Sequence, residues 1–187
     1  MTEIIIPNSV TGIGGGAFSG CTGLISVTIG NSMRSIDASA FSGCTSLTSV
    51  NISDLAAWCN IGFYSSSSNP LYFAHNLYLN GNIITNLEIP NSVTRINSYT
   101  FSGCTCLTSI DIPNSVTEIG SRAFNDCYSL TTITSLATTA PTIKSNTFQN
   151  IRNSGTLHVP AGSDYSAWMS IGDYYLGKYN WTKVEDA

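Results

Sequence analysis

The chain says nearly the same thing four times. IPNSVTEIGSRAFNDCYSLTTI at 112–133 restates IPNSVTRINSYTFSGCTCLTSI at 89–110, IGNSMRSIDASAFSGCTSLTSV at 29–50 and IPNSVTGIGGGAFSGCTGLISV at 6–27. The leading isoleucines Ile6, Ile29, Ile52, Ile89 and Ile112 are spaced 23, 23, 37 and 23, so the third unit is an ordinary one carrying 14 extra residues. A fixed period in the twenties predicts a solenoid, because each unit is too small to bury its apolar face except against its neighbours. At 187 residues the chain has room for a short solenoid of about six turns.

Within a unit, Leu47, Val50 and Ile52 follow the pattern LxxLxL, matched by Leu24, Val27, Ile29 and by Leu107, Ile110, Ile112. The alternation at its end, Val50 inward, Asn51 outward, Ile52 inward, predicts a short strand, and stacked units would join these strands into one parallel sheet. The remainder places Val10, Ile13, Ala17, Phe18 and Cys21 at apolar spacings that line a return leg. Phe18, Phe41, Phe101 and Phe124 hold one position and predict an aromatic column. Residues 1–6 align with the strand of a unit whose earlier half is missing. That predicts an open strand edge, with either a preceding segment or self-association through residues 3–13 to cover it. The opening TEIIIP carries no secretory leader, and the reading adopted is a trimmed form of a secreted chain.

The third unit departs from the others. Ser53 and Asp54 before LAAWC predict an N-capped helical turn, SSSSNP at 65–70 a loop, and LYLNGNIIT at 77–85 an Asn-Gly hairpin. The segment is expected to form a small lobe on one edge of the solenoid, rich in rings from Trp58 to Tyr78. After Leu130 the repeat decays, although PTIKSNTFQN keeps its Ile143 and Phe148. A strand at Leu157–Pro160 is expected to close the last rung, followed by a short helix begun at Ser163 or Asp164. The domain reading is a solenoid over 1–160, with an insertion at about 53–86, and a C-terminal cap over 161–187.

The repeat resembles the leucine-rich repeats of the BspA-like family, found in surface proteins of host-associated bacteria. IPNSVTxI, AF, SGCTxLTSV and the closing VPAGS carry the match, which covers nearly the whole chain. The resemblance implies a leucine-rich-repeat solenoid, mostly β and irregular with short helical turns. It also implies an extracellular or cell-surface location and an adhesion or binding role. It brings no catalytic residue with it.

Composition narrows the partners. Charged residues are 10% of the chain, against about 25% in typical domains, and Ser, Thr and Asn make up roughly a third. A net charge of −4 with scattered Lys and Arg argues against nucleic acid. No apolar run is long enough to cross a membrane.

Candidate chemistry is sparse. Cys21, Cys44, Cys104 and Cys127 repeat at one position beside Phe and Leu, with Cys59 standing in for the third unit; they read as small apolar fillers. Cys106 aligns with Gly23, Ser46 and Ser129, a position expected to face outward, which makes it the reactive cysteine. GIGGGA at 12–17 mimics a dinucleotide fingerprint, but its counterparts SIDASA, RINSYT and EIGSRA show that the turn does not require those glycines, and no cofactor is expected. Two histidines, His75 and His158, with no nucleophile motif around any serine, leave no case for an enzyme, nor for a metal site.

What remains is surface. The outward strand positions form a hydroxyl-rich, slightly acidic face, with Asn51, Glu88, Ser109, Asp111 and Thr132 as its candidate binding residues. Trp58, Tyr64, Tyr72, His75 and Tyr78 of the insertion are a second candidate, since stacking rings suit sugars or peptides. The sequence therefore reads as a non-enzymatic module binding a host matrix protein or glycan. The alternative is a structural spacer with no ligand of its own.

Overall fold

The computed structural model describes residues 1–187. Its first half runs β1 (Glu3–Ile6), β2 (Gly12–Ile13), β3 (Ser26–Ile29), β4 (Ser35–Ile36), β5 (Ser49–Ile52), α1 (Leu55–Cys59), β6 (Gly62–Phe63), α2 (Leu71–Ala74), β7 (Leu77–Leu79) and β8 (Asn82–Ile83). The second runs β9 (Asn86–Glu88), β10 (Arg95–Ile96), β11 (Ser109–Ile112), β12 (Glu118–Ile119), β13 (Thr132–Ser135), β14 (Thr142–Ile143), β15 (Thr156–Pro160) and β16 (Thr182–Asp186). Each full rung contributes a forward strand to one face and a two-residue strand to the other. The result is a leucine-rich-repeat solenoid.

The register follows the repeat. Ser26 pairs with Glu3 and Ser49, Val27 with Ile4 and Val50, all in parallel. Because side chains alternate along a strand, this stacks like on like. Val27, Val50 and Leu77 face inward in one half, and Leu87, Ile110, Ile133 and Leu157 in the other, all buried. On the return face Ile13, Ile36 and Phe63 stack, then Ile96, Ile119 and Ile143. One contiguous cluster of 47 buried residues fills the space between the faces. Nine forward strands make the solenoid longer than the six turns expected.

Five rungs turn through two backbone positions of positive φ, and the third unit has neither. Gly16, Ser39, Tyr99, Arg122 and Asn146 form one such column, and Gly20, Gly43, Gly103, Asp126 and Asn150 the other. The left-handed conformation is thus the requirement of the turn. Glycine is only one way to meet it, which accounts for the glycine-rich GIGGGA having glycine-poor counterparts.

The phenylalanine column forms in two stacks. Phe18 and Phe41 have ring centroids 5.1 Å apart, and Phe101, Phe124 and Phe148 follow at 5.4 and 5.9 Å with planes within 9°. The third unit interrupts it. Phe41 N donates to Ser67 O where Phe18 N donates to Ala40 O, so Ser68, buried, holds the phenylalanine position there. In the first rung Ala17 is exposed and Phe18 and Cys21 only half-buried, whereas Ala40, Phe41 and Cys44 one rung on are buried.

The insertion is not a lobe. α1 forms as expected, with the Asp54 carboxylate accepting from Ala57 N at 3.0 Å, and the Asn80-Gly81 hairpin joins β7 to β8. However, β6 pairs with β4 and β7 with β5, so the segment is itself a rung of the solenoid. The SSSSNP loop holds a single 3-10 turn at Ser66–Ser68, and α2 follows it unforeseen. Leu55, Trp58, Leu71 and Leu77 enter the common core, which is why the segment packs inward. β8 then reverses and the chain re-enters as β9. That reversal splits the forward face into two five-stranded sheets, β1-β3-β5-β7-β8 and β9-β11-β13-β15-β16.

The tail also differs from expectation. β15 does not close the last rung, because β16 pairs with it in parallel from Thr156↔Thr182 to Pro160↔Asp186. No helix starts at Ser163 or Asp164. The Asp164 carboxylate accepts from Ser166 N at 2.9 Å, a local side-chain turn that competes with helix. Tyr165 and Trp168 are buried and tie the tail down, Tyr165 Oη donating to Ser135 Oγ at 2.7 Å and Trp168 Nε1 to Pro141 O at 2.8 Å. No helix is long and apolar enough to cross a membrane.

Candidate functional site

The outward side chains of the forward strands form two rows in each sheet. In the first sheet one row is Glu3, Ser26 and Ser49, and the other Ile5, Thr28, Asn51 and Tyr78. In the second, Asn86, Ser109, Thr132 and Thr156 make one row and Glu88, Asp111, Thr134 and His158 the other. The strand spacing of about 4.8 Å lets each side chain reach its neighbour one rung away. Asn51 Nδ2 donates to Ser26 Oγ at 3.0 Å, and Ser109 Oγ to Asn86 Oδ1 at 3.0 Å. Glu88 and Asp111 are register partners on adjacent strands, both exposed, with Thr134 next in line. His158 is half-buried, its Nδ1 3.1 Å from Asp186 Oδ1, rather than free in solvent.

In the first sheet this face is a groove of about 670 Å³, floored by Ser26, Thr28, Ser49 and Asn51 and walled by Tyr78 and Gly81 at the start of the hairpin. Parallel pairing sets Asn51 against Tyr78. One residue from the sheet candidates and one from the insertion candidates therefore meet in a single polar trough with an aromatic wall. Tyr78 on β7 supplies that wall, and the Asn80-Gly81 turn that follows reverses the chain into β8, the antiparallel last strand of the same sheet. Ser26, Thr28 and Ser49 lie on the outward strand positions that the repeat marks, whereas Glu3, Thr48, Asn76 and Gly81 escaped the sequence reading.

The remaining insertion candidates do not gather. Trp58 is a correction: only 1% exposed, it lies in the core and its Nε1 donates to Thr100 O at 3.1 Å, which removes it from any surface. Tyr64, 69% exposed, stands on the opposite face in a groove with Arg34 and Arg95. Tyr72 is half-buried edge-on to Phe73, at 5.4 Å between centroids. His75 is exposed, its Nδ1 3.0 Å from Gly103 O. No group of three or more His, Cys, Asp or Glu side chains is placed to hold a metal ion.

The cysteine row is inside. Cys44, Cys104 and Cys127 are buried. Cys59 is buried as well, and burial pushes its thiol up to about 12, but it lies in α1 and does not stand in for the row: with Ser68 at the phenylalanine position, Leu71 holds the third unit's cysteine position. Cys106 is half-buried, not outward-facing, and its Sγ lies 3.4 Å from Ile84 O.

The model of the BspA type leucine rich repeat region matches residues 1–79 and 71–184, in six copies. The chain belongs to the BspA-type leucine-rich repeat family. Among solved structures, this BspA-type chain is similar to a leucine rich cell surface protein of Faecalibacterium prausnitzii, at 25% identity, over 86% of this chain and 55% of that one, with a TM-score of 0.43. A leucine-rich repeat protein of Bacteroides ovatus is similar at 26% identity, over 87% and 46%, with a TM-score of 0.45. The Treponema pallidum leucine rich repeat protein is similar at 22% identity, over 84% and 72%, with a TM-score of 0.43. The chain thus spans about half the length of the first and second of these. No curated protein matches it.

Proposed function

We propose that this chain is a non-enzymatic binding module of a bacterial cell-surface protein, engaging a glycan or a host matrix protein through its outward sheet face. The observation that carries the reading is the groove of Ser26, Ser49, Asn51 and Tyr78, which combines hydroxyl and amide groups with an aromatic wall. Sugars ask for that combination, since their hydroxyls need polar partners and their C–H faces stack on rings. Glu88 and Asp111 extend the polar face into the second sheet. BspA-type membership supports the surface location.

The test is binding of the purified chain to an array of host matrix proteins and glycans. The expected result is a specific hit weakened about tenfold or more by Tyr78→Ala or Asn51→Ala, the loss of one buried contact in a small interface. A hit that moves only with Asp111→Ala or Glu88→Ala transfers the site to the second sheet. A hit indifferent to all four, or silence across the array, leaves the spacer reading. One observation favours that second reading: several face side chains already satisfy one another across the rungs, as Asn51 does with Ser26. Self-association through residues 3–13 is a further proposal, supported by β1 being an edge strand and by Ile5, 67% exposed on its outward face, and a monomer by light scattering at high concentration rejects it.

A further inference from the structure

The cysteine row carries one exception. Cys44 and Cys127 each donate from Sγ to the phenylalanine carbonyl one rung away, Phe18 O and Phe101 O, and no second thiol joins them. Cys104, 1% exposed, has Cys106 as its neighbour instead, with the two Sγ atoms 3.9 Å apart. Cys106 sits over the notch where the forward face divides, its Sγ near Ile84 O and, at 3.6 Å, His75 O. One thiol of the pair is sealed and the other is reachable.

We propose that Cys104 and Cys106 form a dithiol site for exchange with low-molecular-weight disulfides, Cys106 attacking and Cys104 resolving. The Cys106 thiolate attacks one sulfur of the disulfide RS–SR, whose S–S bond breaks and releases RS⁻, leaving the mixed disulfide Cys106–S–S–R. Cys104 then attacks the Cys106 sulfur, its proton passing to the second RS⁻, which leaves as RSH as the Cys104–Cys106 bond forms. Two protein thiols are oxidised by two electrons and one small disulfide is reduced to two thiols. The second step needs the sulfurs to close from 3.9 Å to about 2.05 Å, a side-chain rotation over two residues of one turn. The order of attack follows from exposure and from where the negative charge settles. The hydrogen bond from the Cys104 thiol draws the Cys106 thiol down to about 7, against the opposing effect of burial, and the same bond, with burial, holds Cys104 well above its ordinary value.

The experiment treats the whole chain with glutathione disulfide, alkylates what remains reduced, and cuts with trypsin. Cleavage after Arg95 and Arg122 isolates residues 96–122, which contain Cys104 and Cys106 and no other cysteine. The expected wild-type peptide is lighter by two hydrogens and takes up no alkylating agent. Cys104→Ala should stop at a stable glutathione adduct on Cys106, and Cys106→Ser should leave Cys104 reduced. A wild-type peptide that keeps a stable adduct, or that stays fully alkylated while Cys21 reacts, overturns the proposal. The wild-type result decides the matter even where a variant fails to fold.

Discussion

Tyr99 and Arg122 hold positive φ where a side chain costs roughly 1–2 kcal/mol, and each does so because the rungs on either side fix the turn. Gly103 is in a different position. Its φ is 82°, and a Cβ there would lie 2.9 Å from Tyr72 Cα, because α2 of the third unit packs directly behind it. Gly103→Ala is expected to lower stability by about 1–3 kcal/mol in urea unfolding, from backbone conformation plus the clash. Gly20→Ala, with open space around its Cβ, should cost only the conformational part. A second residue-scale expectation concerns Cys106. Its alkylation rate should rise with pH and be half-maximal near 7, about a unit and a half below an ordinary thiol. The groups around it are Cys104 on its own turn, Cys127 on the next rung and His75 from the insertion; Cys104→Ala removes the bond that stabilises the thiolate and should move the midpoint upward. At this scale the sequence marked Cys106 as the odd member of its column. It left the second thiol's distance, and the burial of Cys104 beside a half-buried Cys106, to the fold.

Among elements, the forward strands and the N-capped helix α1 were legible, because alternation, leucine spacing and the Ser-Asp cap are local signals. The placement of the third unit was not. Asn80-Gly81 announces a hairpin but is silent on whether the strand before it joins the main sheet, and that depends on Val50 offering Leu77 a parallel partner. The polar groove shares this fate: Asn51 and Tyr78 lie 27 residues apart and meet only through that pairing. The tail was misjudged for a related reason, since Tyr165 and Trp168 bury themselves against the end rungs and leave the following chain free to add β16. The phenylalanine stack offers a direct check on element packing. Phe124, sandwiched between Phe101 and Phe148, should cost about 3–5 kcal/mol when changed to Ala, by chemical denaturation. Phe18→Ala should cost clearly less, because that ring is half-buried and stacks on one side only.

Taken whole, the molecule has a divided forward face and an undivided interior. The two five-stranded sheets do not hydrogen-bond to each other, yet a single cluster of 47 buried residues runs from Ile6 to Trp181. Cooperativity follows the apolar contacts between rungs rather than the ladder, so unfolding is expected as one transition with coincident fluorescence and circular dichroism curves. Two separated transitions would mean that the third unit uncouples the halves. That unit has a consequence for how the chain finds its shape. Near-identical rungs offer no address: Ile36 and Ile119 present much the same surface, and a folding chain that skipped a rung would meet little resistance. Between the first rung and Leu130, only the third unit is unlike its neighbours. Trp58 Nε1 finds its acceptor on Thr100, and the Asn69 amide reaches Tyr99 O and Thr100 O, bonds that no other pair of rungs could supply. The irregular unit serves as a datum line, the fixed mark from which every other rung is counted in both directions.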